Sequence, residues 1–139
     1  MAIEKLPSVH EAAPAIMSGS LHPRELVDFC LARINQFDDR LRAWVLVDAD
    51  GARREADRLG ELARRRWLGP LHGIPIGIKD IVDVQRLAHA CRFAVAARRR
   101  RPRTLRSCVG CAAGAILLGK TVTVSSLVSI RRRLAILGI

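Results

Sequence analysis

Acidic residues are missing from the last 55 positions: all 13 lie between Glu4 and Asp83, while Gln85 to Ile139 carries 12 of the 24 basic residues. The first 84 residues, with 12 basic groups against 13 acidic ones, net −1, so the formal +11 of the chain belongs to its second half. A function class inferred from the overall charge is therefore excluded for the first half. Tyrosine is absent, asparagine occurs once, and lysine stands only at positions 5, 79 and 120 against 21 arginines, the usage expected of GC-rich coding DNA. No apolar run approaches the roughly 20 residues of a membrane-spanning helix. The longest candidate is Val109 to Gly119, and Met1 to Pro7 has no apolar signal core, so a cytoplasmic address and no membrane partner are expected. Four cysteines, Cys30, Cys91, Cys108 and Cys111, are too sparse for a disulfide scaffold, and Cys30 falls on the apolar stripe of a predicted helix as a free buried thiol.

Half of the 139 residues are apolar, enough for one domain with a modest core. Ser8 and Glu11 stand at capping-box spacing, which predicts a short helix from Ser8 to Gly19, kinked or frayed by Pro14. Pro23 suits a first helical position, and Leu26, Phe29, Cys30, Ile34 and Phe37 recur at helical spacing, predicting an amphipathic helix over 23–37. Leu41, Ala43, Val45 and Val47 alternate with Arg42, Trp44 and Leu46 as in a short strand. Asp48 or Asp50 then caps a helix running to about Arg66, with Ala52, Ala56, Leu59, Leu62 and Ala63 on one face. Its arginines are interleaved with Glu55, Asp57 and Glu61, the pattern of a solvated face rather than a basic patch. The first half contains no internal repeat and no low-complexity linker.

After the Gly69-Pro70 break, Leu71 to Val84 reads LHGIPIGIKDIVDV. On a strand, Ile74, Ile76 and Ile78 share one face and Pro75, Gly77 and Lys79 the other. Two residues without bulk beside a lysine leave room for another backbone to approach, as a buried functional amine requires. The alternative is a solvent-facing Lys79 beside Asp80.

The segment GPLHGIPIGIKDIVDV, Gly69 to Val84, closely resembles the stretch that carries the catalytic lysine of the amidase signature family. The resemblance extends through RELVDFCLARI (24–34), AWVLVDAD (43–50) and EADRLGELARRR (55–66), covering about 6–84, and resumes at AAGAILLGKTVTV (112–124). It implies an α/β fold, the N-terminal and incomplete part of a mixed sheet flanked by helices. The implied activity is hydrolysis of carboxylic amides by a serine, a second serine on a cis peptide bond, and a lysine, without a cofactor or metal. Lys79 is the lysine by this resemblance. The family's serines sit in a Gly/Ser-rich stretch of the type GGSSGG, which Ser125, Ser126 and Ser129 do not match, so the polypeptide as it stands is expected to be inactive. The expected partner is a small amide substrate; a general amidase and an amidotransferase component that works on charged transfer RNA are not separated.

The family pattern lapses over 85–111 and again over 125–139. Reading one base later through Arg86 to Phe93 permits Gly-Leu-Pro-Thr-Arg-Ala-Gly-Ser, and reading one base earlier through Ser125 to Ile139 permits Glu-Phe-Ala-Ser-Phe-Asp-Pro-Pro-Ala-Thr-Arg-Asn-Pro-Trp-Asn. Both resemble the family, and the chain accordingly divides into the amidase part (1–84), a basic segment in a shifted frame (85–111), an amidase-like strand (112–124) and a second shifted tail (125–139). Three other signals lie in this half. Gly114 to Thr121 has the spacing of a P-loop, but Ile116, Leu117 and Leu118 favour a strand. His89, Cys91, Cys108 and Cys111 form a weak zinc pattern with a single CxxC pair. The cluster from Arg98 to Arg106 is the basis of the competing function, a small basic module binding nucleic acid nonspecifically.

Overall fold

The computed structural model describes residues 6–80, 82 and 113–122. Three helices and three strands follow in the order α1 (Val9–Ser18), α2 (Pro23–Leu41), β1 (Trp44–Val47), α3 (Ala49–Ala63), β2 (Pro75–Lys79) and β3 (Ile116–Thr121).

The helix ends obey local chemistry. At α1 the Ser8 hydroxyl accepts from the Glu11 amide and the Glu11 carboxylate accepts from the Ser8 amide, closing the capping box on both sides. The hydroxyl and amide of Ser8 hold the Glu11 carboxyl below the usual carboxylate range. Gly19 ends the helix in the left-handed conformation. Pro14 sits inside α1, which runs unbroken from Val9 to Ser18. Helix α2 starts at Pro23 as expected but runs on to Leu41, four residues past Phe37, because Arg42 adopts a left-handed C-cap conformation. Leu41 thus ends a helix instead of opening a strand, and β1 begins only at Trp44. Of the two candidate caps for α3, Asp48 is the one used: its carboxylate accepts from the Gly51 amide at 3.0 Å.

The sheet is mixed, in the order β1-β3-β2, with β3 antiparallel to β1 and parallel to β2. Both pairings shift register once, between Trp44 and Leu46 of β1 and between Ile76 and Gly77 of β2. Helices α2 and α3 pack Val27, Leu31, Ala52, Ala56 and Leu59 against Ile116 and Leu118 of β3. A second cluster joins Ala12 and Ile16 of α1, Leu26 of α2 and Ile74 just before β2. Both put aliphatic surface out of water, and both converge on the two strands that lie parallel.

Candidate functional site

The chain approaches β2 through a turn built around His72. The ring is fully buried; its Nδ1 accepts the Leu68 amide at 3.2 Å, which leaves Nε2–H to donate to the Leu59 carbonyl at 2.9 Å. Trp67 stacks on the same ring with centroids 4.5 Å apart. One imidazole therefore ties the end of α3 to the loop that aims β2, and the Gly73 amide continues the link by donating to the Gly114 carbonyl at 2.8 Å.

Lys79 is the last residue of β2, in register with Thr121. The backbone turns at once: the Val82 amide donates to the Lys79 carbonyl at 3.0 Å, while the Asp80 amide donates to the Thr121 carbonyl at 2.9 Å. The expected burial of Lys79 is not found. Its side chain is exposed, whereas Ile74, just before the strand, is buried in the core. The space beside Gly77 also differs from expectation. A Cβ there would meet the Trp44 ring at 2.9 Å, so the missing bulk admits an indole from β1 rather than another backbone.

The buried amine of the region is Lys120. Its side chain is fully buried on the central strand and pairs with the Asp80 carboxylate, itself 2% exposed, at 3.7 Å. The ammonium also donates to the Val82 carbonyl at 2.9 Å and the Asp80 carbonyl at 3.5 Å. A buried charge persists only when oxygen atoms replace its water shell, and these three oxygens do so. Sequence reasoning passed over Asp80 and Lys120, although a lone lysine in the apolar run AILLGKTV signals a buried partner. The same contacts dispose of the P-loop spacing. Ile116 to Thr121 is a strand, and an ammonium turned into the core is not presented to phosphate. His89, Cys91, Cys108, Cys111 and the Arg98 to Arg106 cluster lie outside the described residues, as do Ser125, Ser126 and Ser129.

Away from the turn, Cys30 is a free, half-buried thiol, and burial pushes its pKa up. Among the described residues no helix is long and apolar enough to cross a membrane.

The two segments that carry the resemblance, 69–84 and 112–124, supply the parallel strands β2 and β3, and Lys79 ends the first of them. The family model Amidase matches residues 25–138. The chain belongs to the amidase family. Its fold is accordingly the mixed α/β fold of the amidase signature enzymes, of which a small sheet and its flanking helices are described here. Among curated amidase relatives, a glutamyl-tRNA(Gln) amidotransferase subunit of Halorhodospira halophila is 37% identical over 114 residues, 81% of this chain and 24% of that one. An amidase of Pseudomonas putida is 35% identical over 104 residues, 71% of this chain and 21% of that one. The solved structure of native peptide amidase from Stenotrophomonas maltophilia superposes with a TM-score of 0.69 at 32% identity, covering 82% of this chain and 24% of that one. The chain thus spans about a quarter of the length of these relatives.

Proposed function

We propose that Lys79 is the general base of an amide-hydrolysing site, and that this 139-residue polypeptide alone does not turn over amides. The observation that carries the reading is the position of Lys79: it ends a strand within the family's lysine-bearing segment, at the mouth of a turn fixed from behind by a parallel partner. A lysine accepts a proton only as the neutral amine. In the family pathway the amine takes a proton through the bridging serine from the nucleophilic serine. The nucleophile's oxygen adds to the amide carbonyl, the C–N bond breaks with the proton delivered to the leaving amine, and water hydrolyses the acyl-enzyme. Backbone amides hold the oxyanion.

No GGSSGG-type stretch occurs in the sequence to supply the two serines. We infer that residues 85–111 and 125–139 are read in shifted frames, which explains their acid-free, arginine-rich composition. Purified chain is expected to release no amine from small aryl or aliphatic amides, and measurable turnover would sink the proposal. Resequencing the coding DNA from codon 80 onward is expected to show single-base discrepancies near codons 85, 111 and 125. In the frame-restored product, Lys79→Ala should then lower kcat by about 10²-fold or more, the usual contribution of a general base; full activity in that variant would reject Lys79 as the base.

A further inference from the structure

We propose that Lys120 is a positioning residue for Lys79, an inference that rests on the amidase reading for its functional meaning but not for its test. The turn that begins at Lys79 is closed by one bond of its own, Val82 N–H to Lys79 C=O at 3.0 Å. Lys120 approaches this turn from the neighbouring strand, where it stands in register with Ile78, one residue before Lys79. Its ammonium gathers the Asp80 carboxylate, the Asp80 carbonyl and the Val82 carbonyl, at 3.7, 3.5 and 2.9 Å. One cation therefore holds the two residues that fix the direction in which the chain leaves Lys79.

The chemistry chosen for this task is costly, which is what distinguishes it from ordinary packing. A fully buried lysine and a nearly buried aspartate each surrender hydration, and an apolar pair of similar volume commonly stabilises a core as well or better. What an apolar pair cannot do is accept a geometric instruction: an ammonium has three directed N–H bonds and draws carbonyl oxygens to specified positions. Such a cross-link tolerates little movement of the Lys79 backbone. A catalytic amine needs that restraint, because a displacement of about 1 Å at a reacting group costs on the order of 10²-fold in rate. The assignment also gives Asp80 a role, as the counter-charge that keeps the ammonium in place.

The test is amide hydrogen exchange on the 139-residue chain by NMR at micromolar concentration, comparing wild type with Lys120→Met. Asp80 and Val82 amides are expected to exchange at least tenfold faster in the variant, while Ala56 and Leu59 of α3 change less than twofold. The carbonyl 13C shift of Lys79 is expected to move toward its unstructured value, reporting loss of the Val82 bond. Because Lys120→Met takes the ammonium away from a buried carboxylate and can unfold the chain, Lys120→Met/Asp80→Asn provides a second comparison, with the same local acceleration expected. Equal acceleration in α3 and the turn, or an unchanged Val82 amide, overturns the positioning role. Neither measurement involves turnover, so retained activity in the frame-restored Lys79→Ala protein would defeat the amidase reading while leaving the exchange result standing.

Discussion

Asp28 lies where α2 crosses α3 and accepts from Arg24 at 2.9 Å and from Arg53 at 2.8 Å; Arg24 reaches on to Asp57 at 2.6 Å. Burial alone would raise the Asp28 pKa, but the hydrogen bonds from Arg53 and then Arg24 outweigh it and hold the carboxyl below its ordinary value. A depressed folded-state pKa stabilises the fold above the unfolded value of about 3.9 and is lost as pH falls through the lower, folded value. The Asp28 side chain is 45% exposed, so solvent screening limits its worth to about 1 kcal/mol or less. Asp28→Asn is therefore expected to lower stability by that amount at pH 7 in urea unfolding, with the difference shrinking toward zero below about pH 4. An undiminished difference at pH 3 would place the effect in packing instead. Arg53 and Asp57 were legible only as part of a solvated face of α3, because the partner of Arg53 lies 25 positions away on another helix.

The strands show how far local pattern reaches. The start of α1 was readable at Ser8 and that of α2 at Pro23, while the α3 cap was narrowed to Asp48 or Asp50, since these signals depend on residues close along the chain. The end of α2 was not readable, because Arg42 has no intrinsic preference for the left-handed conformation that it adopts there. Gly119 carries the close approach of β1 to β3. A Cβ at that position would run into the Leu46 carbonyl oxygen and lie 2.9 Å from the Val47 Cα. Gly119→Ala is expected to cost about 2–3 kcal/mol by forcing the strands apart, and the Asp48 amide, which donates to the Leu118 carbonyl at 2.9 Å, should lose exchange protection first. A cost under about 0.5 kcal/mol, the range of an ordinary surface change, would show that β1 yields without breaking its pairing.

Over the molecule as a whole, the described sheet has β3 in the middle and leaves the outer edges of β1 and β2 without a described neighbour. Exposed strand edges template pairing with other chains. The polypeptide is expected to associate as its concentration rises, read as an increase in weight-average mass by light scattering; a constant monomer mass over a hundredfold concentration range would refute this.

Sequence by itself determined the family, the α/β class and the existence of the three helices, because each rests on neighbours along the chain or on a contiguous motif. It misassigned the burial of Lys79 and the use of the gap at Gly77, and passed over Lys120 and Asp80. Tertiary structure alone decided those. Positions 80 and 120 become neighbours only when β3 lies parallel to β2, and in that pairing the lysine inside an apolar strand loses its water and takes the oxygens of the turn beside Lys79 in exchange.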